Sequence, residues 1–244
     1  MAESSVRTAA EAYLSTGAQH AEGVAFDICR GDISDSDDPT YASTPDAGLK
    51  GKIISILVLH AGNTAVVHVQ WVSHAGWLTL LQEKGEWVVI SNISSAASGP
   101  STPTDMAAVI HACWDEYCAA NHACDGLRMA QVFHPKCRLT YTGPDGALVI
   151  KSRDVFVHMV SERYSLPLHA PYAHLKDDPR VAAKTSLLSA SFATPDLCMV
   201  VLKVGHPPML WTDVLTCARL GDEGKWWIVA KSSCSEPLFA KEAK

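Results

Sequence analysis

An internal repeat constrains the fold of this sequence more than any other feature. Gly85-Glu-Trp-Val-Val-Ile90 in the first half corresponds to Gly224-Lys-Trp-Trp-Ile-Val229 in the second half, and each follows a Leu-Thr pair, at Leu78 and at Leu215. A period of about 120 residues is too long for a solenoid repeat, so the pattern predicts a duplicated domain. Upstream of both pairs, two β-rich runs occur in the same order, at residues 53–59 and 62–69 and again at 186–192 and 195–202.

The two copies are unequal. Helical patterns open both halves, at residues 6–19 and 106–122, and a run of Ser, Pro and Gly at residues 94–104 separates them. The second copy contains a further helical segment, residues 152–163, where the first copy has only a short Asp-rich connection. We predict that this helix is capped by Ser152 and that its apolar side carries Val155, Val157, Met159 and Val160. The predicted boundaries are a shortened domain over residues 1–97, a linker over 98–105 and a complete domain over 106–244.

The β-rich run at residues 197–202 is apolar without alternation. One face of such a strand covers helices, and the other must meet a second sheet, from the first copy or from another chain. We therefore predict an α+β fold of two cone-shaped α+β barrels, each a curved antiparallel sheet wrapped on helices. The barrels would pack as an internal pseudo-dimer, and further self-association is an open alternative.

Composition excludes several classes of function. About half of the residues are hydrophobic and the formal net charge is -6, without the basic stripe that binds a nucleic-acid backbone. The sequence contains no signal-peptide pattern and no apolar run long enough to cross a bilayer. We expect a cytoplasmic protein that binds neither nucleic acid nor membrane.

The eight cysteines form no C-x-x-C pair and lie within apolar periodic segments. This placement favours reduced, buried thiols over disulfides. Cys118 and His122 share a helix face, but further ligands with metal-site spacing are missing. The Asp-rich run at residues 32–38 lacks the ligand spacing and terminal Glu of a calcium loop. We expect neither a metal nor a cofactor.

From Trp114 to Leu139 the second half has an aromatic helix, an Asp-Gly break, a second helix ending in Phe-His-Pro and then a strand. In this order of motifs it resembles the nuclear transport factor two-like superfamily. Ser152-Arg-Asp-Val-Phe, Asp213-Val-Leu-Thr and Gly224-Lys-Trp-Trp-Ile-Val are similar to the lumazine-binding-like branch. The resemblance covers most of residues 106–237 and is weaker over 6–94. It implies a barrel with an apolar pocket, in a superfamily of isomerase-like and cyclase-like enzymes, dehydratases and non-catalytic binders.

The resemblance also implies roles for individual residues. Tyr117 and Asp213 fall on the positions of an oxyanion-hole tyrosine and of a protonated, hydrogen-bonding aspartate. The position of the general base is occupied by Tyr141, which is not a base near neutral pH. His134, or less readily His122, is the alternative base. In the first copy Tyr13 matches Tyr117, whereas Gly76 replaces Asp213.

The leading hypothesis is a non-catalytic binder of a small apolar or aromatic ligand in the second domain. The first alternative is an isomerase, cyclase or dehydratase that uses Tyr117, Asp213 and His134. The second alternative is an interaction scaffold that binds a partner through an exposed sheet or through the first copy. The predicted pocket residues are Trp114, Tyr117, Phe133, Tyr141, Trp211 and Asp213.

Overall fold

The computed structural model describes residues 2–16, 51–59, 63–72, 74–96, 99–143, 145–221 and 223–239. The predicted Asp-rich connection at 31–39 lies outside these residues, as does Cys29. Within them the chain forms two antiparallel-rich sheets, each with helices on one face. No helix in these ranges combines the length and apolar character that a membrane span requires.

The first part consists of one helix and a four-stranded sheet. Helix α1 (Ala2–Thr16) packs on strands β1 (Lys52–Val58), β2 (Thr64–Gln70), β3 (His74–Glu83) and β4 (Glu86–Ala96), in the order β1-β2-β3-β4. All neighbouring strands are antiparallel. The helix buries the i, i+3, i+4, i+7 stripe typical of an amphipathic helix on a sheet. Its buried residues are Val6, Ala9, Ala10 and Tyr13.

The second part contains six strands and several helices. Strands β5 (Phe133–Thr142), β6 (Leu148–Ser152), β7 (Ser186–Thr194), β8 (Leu197–His206), β9 (Met209–Leu220) and β10 (Lys225–Pro237) form a sheet in the order β6-β5-β10-β9-β8-β7. Strands β5 and β10 are parallel, and the other pairs are antiparallel. The helices are α2 (Pro103–Ile110), a π-helical segment (His111–Cys118), α3 (Ala119–Ala123), α4 (Gly126–Val132), α5 (Arg153–Ser161) and α6 (Pro179–Ala182), with 3-10 turns at Arg163–Ser165 and Ala170–Leu175.

Capping side chains explain where the main helices begin. Thr102 and Asp105 form a reciprocal capping box at α2, and Asp125 accepts the Arg128 backbone N–H at α4. Ser152 caps α5, as its sequence position predicted. The prediction for the apolar side of α5 is right at Val157 and Val160, which pack against the core. Phe156 joins them there, whereas Val155 is exposed.

The six-stranded sheet is apolar on both faces. Its inner face, which we define as the one toward the helices, buries Cys198, Val200 and Leu202 of β8. Its outer face, with the intervening residues of β8, packs against the first sheet. This shared cluster joins Leu59, Val66, Trp77 and Ile93 of the first part to Leu197, Met199, Val201, Val214, Ala218, Val229, Ala230 and Cys234 of the second. The second sheet that the apolar run required is therefore the sheet of residues 52–96.

Corresponding residues of the two sheets are paired in the same way within each sheet. Gly76 pairs with Ser94 in the hairpin β3–β4, and Asp213 pairs with Ser233 in the hairpin β9–β10. A one-residue bulge interrupts both hairpins at corresponding places, at Ile90 in β4 and at Val229 in β10. The edge strands β1 and β7 carry a second pair of bulges, at Ile54 and Leu188. Each bulge reverses the alternation of inward and outward side chains beyond it.

Candidate functional site

Tyr117 and Asp213 meet on the inner face of the six-stranded sheet. The Tyr117 hydroxyl, from the π-helical segment, donates to Asp213 Oδ2 across 2.5 Å. Neither side chain is accessible to solvent. Burial raises the pKa of Tyr117 well above its usual value, and the neighbouring Asp213 carboxylate raises it further. The two residues that the resemblance implied are thus in direct contact.

Lys231 completes this contact from strand β10. Its ammonium group forms a buried ion pair with Asp213 Oδ1, and Ser233 Oγ donates to the same oxygen across 2.7 Å. Lys231 also donates to Ser233 Oγ at 2.5 Å and lies 5.8 Å from the ring centres of both Tyr117 and Phe156. Asp213 therefore accepts three hydrogen bonds, one of them from a cation.

Asn121 and Arg163 extend the network on the helical side. Asn121 Nδ2 donates to the Tyr117 hydroxyl oxygen at 3.1 Å. The Arg163 guanidinium donates to the backbone oxygen of Asn121 at 2.6 Å and to its Oδ1 at 2.5 Å. Arg163 is 4 % exposed, and burial lowers its pKa. The helix end, the tyrosine and the sheet are therefore joined by one chain of hydrogen bonds.

These contacts do not fit the oxyanion role that the resemblance implied. A tyrosine hydroxyl has one proton to donate, and Tyr117 gives it to Asp213. Asp213 acts as a carboxylate acceptor beside Lys231, not as a protonated donor. The physical reason is the lysine, because an ammonium group can only donate and therefore needs an acceptor oxygen.

His134 lies apart from this network. It is the second residue of strand β5, not a helix-ending turn residue, and its ring meets Trp227 edge-on at 5.7 Å. Trp227 packs against the outer-face cluster, whereas Phe133 on the inner face contacts Tyr117 at 5.6 Å. Successive strand residues point to opposite faces. Burial, with smaller contributions from Lys136 and Arg153, lowers the pKa of His134 to about 4.

His122 is also placed away from Asp213. Its Nε2 lies 2.9 Å from Thr185 Oγ1, and burial, with a smaller contribution from Arg163, lowers its pKa. Neither candidate base therefore makes a hydrogen bond with the Tyr117–Asp213 pair in the described part of the chain.

A cluster of aromatic rings surrounds Trp211, two residues before Asp213 in strand β9. Trp211 shares the inner face with Asp213, and the Tyr141 ring approaches it edge-on at 6.2 Å. His206 of β8 stacks on Trp211 at 5.6 Å, and the His169 ring follows at 5.2 Å. Tyr141, Trp211 and His206 are all partly exposed. We call Tyr141, Trp211, His206 and His169 the aromatic rim.

Two buried nitrogen atoms of the rim have no hydrogen-bond partner among the described residues. They are Trp211 Nε1 and His206 Nδ1. His169 differs, because its Nδ1 lies 2.6 Å from the Pro207 carbonyl oxygen. Burial lowers the pKa of His206 well below its usual value, with further contributions from Arg163, His169 and Lys231, so the ring is neutral. A buried N–H without a partner costs about 1–3 kcal/mol, so these atoms call for an acceptor.

The other two predicted pocket residues, Phe133 and Trp114, pack in the apolar core between the helices and the six-stranded sheet. Phe133 is fully buried between Tyr117 and Phe156, at 5.6 Å and 5.4 Å between ring centres. Trp114 packs on the same core and is partly exposed. Phe156, from helix α5, is an aromatic neighbour that the sequence did not single out.

Lys231 is the main functional residue that sequence reasoning missed. Alternation from the inward Ile228 would place Lys231 on the outer face. The bulge at Val229 reverses that order and turns Lys231 toward Asp213. A lysine within the apolar run 226–234 was the available signal. Asn121, Arg163 and His206 carried no comparable signal, because each is an ordinary polar residue near an element end.

The first part of the chain holds a reduced version of the same arrangement. Tyr13 is buried, and its hydroxyl oxygen accepts a hydrogen bond from Asn92 Nδ2 at 3.2 Å. By strand register Asn92 corresponds to Lys231, and Gly76 corresponds to Asp213. A Cβ atom on Gly76 would lie 2.2 Å from the Ile93 carbonyl oxygen. The backbone at this position has no room for a carboxylate side chain.

Comparison with known families places the second part of the chain. Residues 105–232, more than half of the sequence, match the family model described as "Putative lumazine-binding". No curated protein matches the chain significantly.

Several solved structures are similar to somewhat more than half of the chain. One is an NTF-2 like protein of unknown function from Silicibacter pomeroyi, with 22% identity over 56% of this chain and 100% of that chain, at a TM-score of 0.43. Another, an NTF2-like protein of unknown function from Shewanella baltica, has 14% identity over 57% and 99%, at 0.45. A ketosteroid isomerase-like protein from Erwinia carotovora atroseptica has 10% identity over 55% and 98%, at 0.37.

Proposed function

This chain belongs to the lumazine-binding-like family, and from that premise we propose that its second domain is a non-catalytic binder of a small planar aromatic molecule. The carrying observation is the aromatic rim, in which the buried Trp211 Nε1 and His206 Nδ1 lack partners among the described residues. Beside them, Tyr141 is partly exposed. A pocket lined by aromatic rings with a few unpaired polar atoms is the usual form of a small-molecule site.

The contacts of Tyr117 and Asp213 favour binding over isomerase chemistry. An oxyanion hole needs donors that are free to turn toward the substrate oxygen. The Tyr117 proton is held by Asp213, and Asp213 is held by Lys231 and Ser233. In this proposal the network is the rigid floor of the site, and the rim makes the contacts with the ligand.

Ligand-observed NMR tests the proposal with planar aromatic probes that differ in their polar groups. Saturation transfer from the protein to lumazine, indole, 2-naphthol and 2-naphthoate is measured at neutral pH. We expect transfer to at least one of these planar aromatics, and its loss in Tyr141→Ala and Trp211→Ala. Trp227→Phe, on the outer face, is the matched control and should retain it. Absence of transfer to every probe, or transfer unaffected by both rim variants, would overturn the proposal.

We also propose that the chain is a tandem duplication, with a shortened domain over residues 1–97 and a complete one over 106–244 packed as an internal pseudo-dimer. The shared register and the two pairs of corresponding bulges support this origin, since independent sheets have no reason to share both. In this proposal the first copy supports the second sheet and has no equivalent of Asp213. The free thiols of the described cysteines support a reducing, cytoplasmic location.

A further inference from the structure

We propose that the aromatic rim binds a planar aromatic monoanion, best represented by an aromatic carboxylate, whose charged oxygen accepts a hydrogen bond from Trp211 Nε1. This inference rests on the proposed function, because it names the chemical class of the ligand for the same site. It is supported by the buried charges, the unpaired donors and the geometry of the exposed rings.

The buried charges around the site do not balance. Arg163 and Lys231 are cations, 4 % and 6 % exposed, and Asp213 is an anion with no exposure. Lys231 pairs with Asp213, but no carboxylate lies within ion-pair distance of Arg163 among the described residues. The cluster therefore carries one excess positive charge. Burying a charge without a counter-charge is costly, so an anion of charge −1 is the ligand that the cluster complements.

The excess charge acts at the rim itself. Burial lowers the pKa of His206, and Arg163, His169 and Lys231 lower it further, which is the direction that nearby positive charge produces. A positive potential at His206 disfavours a cationic ligand and favours an anionic one. The described residues also contain no cluster of three metal-ligating side chains.

The unpaired atoms define what the anion must offer. An indole N–H is a donor only, so Trp211 Nε1 requires an acceptor. His206 is neutral and can carry its proton on Nδ1, which makes it a second donor on the neighbouring ring. A carboxylate has two acceptor oxygens and can serve both. A neutral amide of the same shape has a single carbonyl oxygen and would bring an N–H₂ group into a positive potential.

The rings define the rest of the ligand. Tyr141 meets Trp211 edge-on, and both side chains are partly exposed, so one more ring can pack against them in the offset or edge-on geometries that aromatic groups prefer. Ser235 pairs with Trp211 in strand register and is exposed. This end of the sheet is therefore the open one, and a ligand enters from the side of Ser235 with its carboxylate leading.

Isothermal titration calorimetry on the full chain separates this inference from the proposed function. The probes are 2-naphthoate, 2-naphthamide and methyl 2-naphthoate, which share one ring system and differ in charge. We expect 2-naphthoate to bind at least tenfold more tightly than either neutral probe. Trp211→Phe keeps the ring and removes the N–H, so it should weaken 2-naphthoate binding about tenfold. Trp227→Phe is the control and should leave binding unchanged.

Each other result has a definite meaning. If the neutral probes bind as tightly as 2-naphthoate, the anion inference fails while the proposed binding function stands. If no planar aromatic binds, both fail. Should Trp211→Phe not fold, as judged by circular dichroism, His206→Phe removes the second donor to the same carboxylate and should weaken 2-naphthoate binding several-fold. A crystal soaked in 2-naphthoate that shows only water on Trp211 Nε1 would also overturn the inference.

Discussion

Asp213 shows how one neighbouring residue changes the chemistry of a tyrosine–carboxyl pair. Beside a tyrosine alone, a carboxyl group in an apolar site tends to stay protonated and can donate a hydrogen bond. Beside Lys231 it is an acceptor, and the tyrosine becomes its donor. In the proposed function, this pair forms the rigid floor of the site. The role of a side chain is thus decided by what it touches.

The first prediction concerns this buried ion pair. Lys231→Met removes the cation and leaves Asp213 buried with neutral donors only, so the free energy of unfolding should fall by about 3–5 kcal/mol. The double variant Asp213→Asn, Lys231→Met leaves no uncompensated charge and should recover part of that loss. Urea denaturation measures both.

The partly exposed pair Lys203–Glu236 lies on the same sheet, with Nζ and Oε1 2.8 Å apart, and is the matched control. Glu236→Gln should change the unfolding free energy by less than about 1 kcal/mol, since exposed ion pairs contribute little. Equal effects at the buried and exposed pairs would contradict the assignment of Asp213 as a buried carboxylate that depends on Lys231.

At the scale of elements, bulges decide which side chains reach the site. The bulge at Val229 turns Lys231 and Ser233 inward, and the bulge at Ile90 turns Asn92 inward toward Tyr13. Without the bulge, strict alternation would place the lysine in the apolar interface between the sheets. The polar network therefore depends on one extra residue in a strand as much as on the residues that form it.

The second prediction concerns the start of the long helical segment that carries Tyr117. Thr102 and Asp105 cap each other's backbone, and Asp105 Oδ1 also accepts from Arg219 at 2.9 Å. Thr102→Ala removes the side-chain cap and should lower the free energy of unfolding by about 1 kcal/mol. Ser101→Ala, at the adjacent exposed position, is the control and should have an effect below about 0.5 kcal/mol. Chemical denaturation compares the two variants.

At the scale of the whole molecule, the packing of helices and sheets removes thiols and histidines from water. Six of the described cysteines are buried and Cys124 is partly exposed. Five histidines, at positions 68, 122, 134, 169 and 206, have a lowered pKa for which burial is the main cause. Unfolding should therefore expose the thiols and the histidines to water together.

The third prediction concerns thiol reactivity. Burial raises the pKa of Cys118 and Cys198 to about 12, and the thiolate is the reactive form. Iodoacetamide at pH 8, read by peptide mass spectrometry, should label Cys124 before the other described cysteines and leave Cys118 and Cys198 unlabelled until denaturant is added. Labelling of Cys198 in the native protein as fast as Cys124 would show that the core is open.

The fourth prediction concerns the pH dependence of stability. A histidine with a lowered pKa stays neutral in the folded protein, while the same residue in the unfolded chain takes up a proton below about pH 6.5. The unfolded state then binds more protons, so stability should fall as the pH drops from 7.5 to 5, by about 2 kcal/mol or more. Urea midpoints at each pH measure this effect.

His134 provides a direct check on this prediction. Its ring proton resonances in NMR should titrate with a midpoint near 4, because the pKa is lowered to about 4. Titration near 6.5 would mean that the ring is solvated, in conflict with its contact with Trp227.

Family, class of fold and several elements could be predicted from the sequence. The order of motifs from Trp114 to the Gly224 turn identified the lumazine-binding-like family, which the match over residues 105–232 confirms. Ser152 marked the start of helix α5, because a capping hydroxyl acts within a few residues of chain. The resemblance singled out Tyr117 and Asp213 as site residues, and their oxyanion role stays a prediction. In the structure the two side chains are in contact, with Lys231 beside Asp213.

What the sequence by itself determined is what local chemistry controls: the helix starts, the β-rich runs, the hairpin turns and the apolar faces that had to be covered. What only the tertiary structure decided is which charges meet. Lys231 points toward Asp213 because the bulge at Val229 lies between Lys231 and the β9–β10 turn. Arg163 contacts Asn121, which lies 42 positions earlier in the chain. Contacts of this kind depend on register and on packing between distant elements, and no local pattern encodes them.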